Sequence, residues 1–144
     1  MKKLSDAEWV SQFKGSSSIT DLRLPFKNSI ACFLKALKDS GARVTVSATL
    51  RPPERACLMH WAWMIAHRKI LPQNVPSYPG ACIEWNHGTK DKSISSAKRM
   101  VNAFGMQGLH VAPALKSRHT EGHAIDMNIL DRCVEYYQRQ WGNY

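Results

Sequence analysis

The run Ser117-Arg118-His119-Thr120-Glu121-Gly122-His123-Ala124-Ile125-Asp126 is where residue types and spacing can do chemistry. Its first part is polar and leads into an alternating segment. Read as a strand from Gly122 to Ile129, the alternation puts Gly122, Ala124 and Asp126 on one face and His123, Ile125 and Met127 on the other. Two small residues beside Asp126 leave open space in front of a carboxylate held on a rigid element. Gly122 permits close approach of another backbone. His119, just before the strand, can fold over that space. A neutral imidazole and a carboxylate converging on a small cleft are zinc-ligand chemistry. The same residues also suit an ordinary loop–strand junction with Asp126 and His119 facing solvent, and a single His/Asp pair does not choose between the two.

The pattern Ser-x-His-x-x-Gly-x-Ala-x-Asp, met here by Ser117, His119, Gly122, Ala124 and Asp126, resembles a known signature. It is that of the zinc D-Ala-D-Ala carboxypeptidases and L-Ala-D-Glu endopeptidases, which cut bacterial peptidoglycan stem peptides. A second stretch, Val46-Ser47-Ala48-Thr49-Leu50-Arg51-Pro52-Pro53-Glu54-Arg55, resembles the strand-to-helix segment of that family, where Ser-Gly-Tyr-Arg-Ser-Pro is typical. The resemblance runs from about Phe26 to Asp126. It implies His119 and Asp126 as ligands of a Zn2+ cofactor, and Arg51 as the residue facing the cleft to hold the substrate carbonyl or carboxylate. A guanidinium suits that task because it is always charged and donates in a fork. The implied fold is α+β, helices on a small antiparallel sheet, Hedgehog/DD-peptidase-like. The implied reaction is metal-assisted peptide hydrolysis, in which a carboxylate takes a proton from water and Arg51 with zinc stabilises the oxyanion.

The family also places a third ligand, a His, on a later strand, with a Glu or Asp a few residues before it. No histidine follows Asp126, and Met127 to Tyr144 offers only Asp131 and Glu135 as carboxylates. The expectation is therefore one peptidase-like domain over 1–144, incomplete at its C-terminus, and weak or inactive on its own. An earlier run, Glu84-Trp85-Asn86-His87, has the base-and-ligand spacing and supplies the substitutes: Glu84 as base, His87 as metal ligand. The plainer reading of the same run is a loop turning at Gly88. His123 should point away from Asp126 by strand alternation. His60 and His67 lie on an apolar helix and read as core or boundary histidines.

The elements that must position these groups follow from periodicity. Ser5-Asp6-Ala7-Glu8 reads as a capping box, with Ser5 as N-cap of a helix to about Lys14. Pro25 opens a helix over 25–40 with Phe26, Ile30, Phe33, Leu34 and Leu37 inward and Gly41 as its stop. Arg43 to Thr49 alternates as a strand. Residues 53–69 form a helix apolar around most of its circumference, hence central. Residues 93–106 form another, with Ile94, Ala97, Met100, Val101 and Phe104 inward. Leu109 to Val111 is a short strand, and Asp131 to Trp141 a helix. The three helices are expected to pack on one sheet containing Arg43–Thr49 and Gly122–Met127. Cys32, Cys57, Cys82 and Cys133 form no C-x-x-C pair and read as buried free thiols.

Twenty Lys and Arg against 11 Asp and Glu give a formal charge of +9, which favours anionic partners. The cations are spread out, so no dedicated basic arm is present. No apolar run approaches the length of a membrane span, and the start, Met1-Lys2-Lys3-Leu4, is not followed by the apolar stretch of a signal peptide. The expectation is synthesis in the cytoplasm and action at the cell wall after release or export, as suits a phage lysis protein or an exported effector. Three functions compete: a peptidoglycan peptidase or its remnant, a non-catalytic cell-wall or metal-binding module, and a charge-driven nucleic-acid binder. The last predicts clustered Lys/Arg with interleaved aromatics, which Trp61, Trp63 and the scattered lysines do not show.

Overall fold

The structure is a computed structural model and describes residues 1–130. The predicted helix over Asp131 to Trp141, and Cys133, lie outside the described residues. Helices and small sheets are mixed: α1 (Phe26–Asp39), α2 (Pro53–Ala66), α3 (Lys90–Ala103) and a single turn α4 (Arg118–Glu121), with β1 (Lys3–Leu4), β2 (Arg43–Ala48), β3 (Ile83–Glu84) and β4 (Asp126–Leu130). No helix among the described residues is long and apolar enough to cross a membrane. The chain forms two compact units. One comprises Met1–Lys14 and Pro52–Ser117; the other comprises Gly15–Arg51 and the chain from Arg118.

The first unit is built on α2. Its apolar residues occupy most of the circumference, so it is wrapped rather than laid on a surface. Ala56, Leu58, Ala62 and Ile65 are almost wholly buried, and α3 packs on it through Ile94, Ala97, Met100 and Val101. Trp9, Trp63 and Trp85 join the same core. β1 and β3 pair in parallel, Lys3 opposite Ile83 and Leu4 opposite Glu84. The buried hydroxyls are bonded: Ser5 Oγ lies 2.9 Å from His87 Nε2, and Ser93 Oγ donates to Thr89 O and accepts from His87 N.

The second unit is an antiparallel pair, β2 with β4, covered by α1. Val44 pairs with Ile129 and Val46 with Met127; the register then shifts so that Ala48 pairs with Asp126. Val44, Val46 and Met127 pack against Ile30 and Leu34 of α1, with Leu22, Phe26 and Ile125. Exposure along β2 alternates as the sequence predicts.

Several expectations are corrected. The sheet with β2 and β4 carries α1 alone within its unit; α2 and α3 belong to the first unit. Ser5 is no cap: it is fully buried, while Asp6 caps a 3-10 turn, Ala7–Ser11, by accepting from Ala7 N–H at 2.7 Å. Glu8 pairs with Lys3 instead of closing a capping box. Phe33 is exposed on α1. α3 starts three residues earlier than predicted, because the Thr89 hydroxyl accepts from Lys92 N–H. α2 ends at Ala66, not Lys69. Leu109 to Val111 forms no strand, and β4 begins at Asp126 rather than Gly122. Of the thiols, Cys57 is buried, with burial pushing its pKa up, but Cys32 and Cys82 are exposed.

Two predictions follow from this packing. Leu58→Ala removes a fully buried side chain from the centre of the first unit and should cost about 2–5 kcal/mol in chemical denaturation. Asp6 accepts two hydrogen bonds from Arg99, at 2.8 and 3.0 Å. These bonds first, and the Ala7 N–H second, hold its carboxyl at about 2, below the usual 3.8. The stabilisation is therefore full above about pH 4 and lost as pH falls through about 2. Arg99→Ala should lower the melting temperature modestly at pH 7, since both groups are substantially exposed. That deficit should shrink as pH falls from 4 to 2.

Candidate metal centre

Arg118 to Glu121 coil into one helical turn, and Gly122 reverses the chain after it. Gly122 is in the left-handed region, φ +75°, and its carbonyl accepts from Arg23 N–H at 3.0 Å. A Cβ here would lie 3.3 Å from Arg23 N, 3.4 Å from Asp21 O and 3.0 Å from Arg23 Cγ. Only glycine satisfies both the dihedral and the contact. His123 N–H closes the turn onto Arg118 O at 2.8 Å.

This reversal delivers Asp126 to the head of β4. There the Ser47 hydroxyl donates to Asp126 O at 3.2 Å, at the register shift in β2. The His119 carbonyl accepts from Arg51 N–H at 2.9 Å. His119 Nε2 lies 3.3 Å from Asp126 Oδ1; the His119 side chain is 19% exposed and that of Asp126 60%. The imidazole is thus mostly shielded while the carboxylate is open to water.

Two of the three predicted ligands, His119 and Asp126, therefore meet, but by a different route from the one the alternation suggested. Gly122, Ala124 and Asp126 do not share a strand face, because residues 122–125 precede β4. The small residue that matters is Gly122, and what it makes possible is the turn. His123 is not turned away by strand pleat either: its ring packs edge-on to Phe26, and Nδ1 is 3.9 Å from Glu121 Oε2. Arg51 is half-buried and reaches His119 through its backbone.

Glu84 and His87 belong to the first unit. His87 Nε2 is bonded to Ser5 Oγ, and Glu84 Oε1 accepts from Asn86 N–H at 2.9 Å. His60 Nδ1 is 2.8 Å from Pro113 O, and His67 stacks on Trp63 with ring centroids 3.9 Å apart. His60 is the satisfied boundary histidine the apolar helix implied, whereas His67 lies just past the end of α2 and is exposed, its Nδ1 2.9 Å from Trp63 O. Among the described residues no three His, Cys, Asp or Glu side chains are grouped as a metal would need. Sequence reading missed Arg23 and Ser47, whose backbone and hydroxyl fix the two ends of the reversal. Neither bears a signal in a single sequence, since each acts through a partner distant along the chain.

Gly122→Ala should be the most damaging small substitution in this unit. It combines a disfavoured dihedral with tight contacts to Arg23, side chain at 3.0 Å and backbone N at 3.3 Å, and should cost at least about 1 kcal/mol, read as a lower melting temperature. No family model, no curated protein and no solved structure matches the chain.

Proposed function

We propose that the chain is a zinc-dependent hydrolase of peptidoglycan stem peptides, carboxypeptidase or endopeptidase, with a Hedgehog/DD-peptidase-like arrangement around His119 and Asp126. One observation carries the reading. Two donors each about 2.0–2.1 Å from a tetrahedral zinc stand about 3.3 Å apart, and His119 Nε2 and Asp126 Oδ1 are separated by 3.3 Å. The signature residues and Arg51 add the chemical class by resemblance. The +9 charge suits an anionic wall.

His119 and Asp126 would hold the ion, which when bound supplies a polarised carbonyl and an acidified water. The chain's own part is positional. The backbone bond from Arg51 holds the turn that carries His119, and β2 holds Asp126. The Arg51 guanidinium is the permanent cation for a substrate carboxylate or developing oxyanion.

A non-catalytic metal-binding module is favoured by one feature: the proposed substitutes, His87 and Glu84, already have hydrogen-bond partners inside their own unit. Two protein donors seldom hold catalytic zinc, so the expected activity is weak. Zinc affinity, measured by competition with a chromophoric chelator, should fall at least tenfold in both His119→Ala and Asp126→Ala. Purified protein should carry less than one zinc per chain and release few new amino termini from peptidoglycan. Zinc affinity unchanged in both variants would overturn the assignment.

A further inference from the structure

We propose that the first unit binds a phosphate monoester in a basic pocket beside the end of α2. Arg68, Lys69 and Lys90 line a cleft of about 120 Å³ whose apolar lining includes buried Ile65 and Ile94 and exposed Leu71. None of the three cations is paired with a carboxylate among the described residues.

The second observation concerns the backbone. α1, α2 and α3 end in the same double hydrogen-bond motif. In α1, Gly41 N–H donates to Lys38 O and Ala42 N–H to Leu37 O; in α3, Gly105 N–H donates to Asn102 O and Met106 N–H to Val101 O. In α2, Arg68 N–H donates to Ile65 O at 3.0 Å and Lys69 N–H to Met64 O at 2.8 Å. The motif needs a left-handed residue, and glycine supplies it at φ +88° and +71° in α1 and α3. In α2 the residue is Arg68, at φ +58°. A Cβ in that conformation is disfavoured, and glycine would close the same motif without strain. The arginine brings what glycine lacks, a guanidinium at the pocket.

The ligand class follows from charge and size. Three like charges around one concavity repel, and a dianion offsets that repulsion better than a monoanion. Arginine forks onto two oxygens, while the lysines act as point charges. At about 120 Å³ the cleft far exceeds the roughly 10–15 Å³ that one water needs on the same measure, so it has room for a tetrahedral oxyanion with the first atoms of its ester. Exposed Leu71 suits an apolar organic group on that ester.

The test uses the full chain, with inorganic phosphate and phenyl phosphate as probes, in calorimetry at fixed ionic strength. Phenyl phosphate should bind more tightly than inorganic phosphate. Arg68→Gly should raise the melting temperature of the free protein yet weaken both probes at least tenfold. Lys69→Gln with Lys90→Gln should weaken them similarly with little change in melting temperature. Probe heats no larger than those of chloride, or wild-type affinity in Arg68→Gly, would overturn the proposal. So would a lower melting temperature in Arg68→Gly, since the arginine would then serve the fold. An oligonucleotide lacking terminal phosphates that competes equally per phosphate would exclude the monoester.

Discussion

His119 and Asp126 are seven residues apart, and seven extended residues span about 23–25 Å. Their donor atoms are 3.3 Å apart because the chain reverses at Gly122. That reversal depends on one close approach: the missing Cβ of Gly122 lets its backbone lie against that of Arg23, where its carbonyl accepts the Arg23 N–H. The constraint acts twice. The left-handed dihedral sets the direction of the turn, and the contact with residues 21–23 anchors it.

The second fastening is shared. The His119 carbonyl accepts from Arg51 N–H, and Asp126 pairs with Ala48 and accepts from the Ser47 hydroxyl. Both members of the candidate centre are thus referred to one short stretch, 47–51, at the end of β2. The shift in register between Val46 and Ala48 falls inside that stretch. Such an irregularity locally re-aims a strand, and here it lies beside the residue that carries the carboxylate. Thr49 anchors the stretch in turn: it is fully buried, its hydroxyl donates to Ser18 O, and its N–H donates to Ser16 O.

The sequence was legible where a periodic apolar pattern sufficed. α1, β2, α2 and α3 follow from it; that Arg43–Thr49 and the segment after Gly122 share an antiparallel sheet was expected, while their direct pairing and register come from the structure. Element ends were less legible because they turn on competition between neighbours. Ser5 and Asp6 are both good caps; Asp6 prevails because Ser5 is drawn into a buried cluster with His87 and Ser96, more than 80 residues away. The end of α2 carries no glycine, so the sequence offers no stop where the hydrogen bonds place one. Leu109 to Val111 has strand composition, but Trp63 Nε1–H already takes Leu109 O, and no strand pairs with it. In the candidate centre the meeting of His119 and Asp126 was legible and its cause was not. Alternation through residues 122–126 would have served by presenting a cleft, whereas the structure uses a turn.

The unequal burial of the two donors bears on how such a pair would meet an ion. The imidazole is mostly shielded, and its turn is held by the backbone bond from Arg51, so little of its freedom remains to be lost on binding. The carboxylate, open to water, is the group an approaching cation would meet first. It leads a strand whose backbone is fixed by β2, so only its side chain must reorient. The entropic cost of bringing these two donors together is thus largely met in folding. What folding does not lower, on this reading, is the cost of the remaining coordination positions. If the pair held an ion, those positions would fall to water or substrate, which would suit an ion reached from solvent better than one sealed as a structural staple.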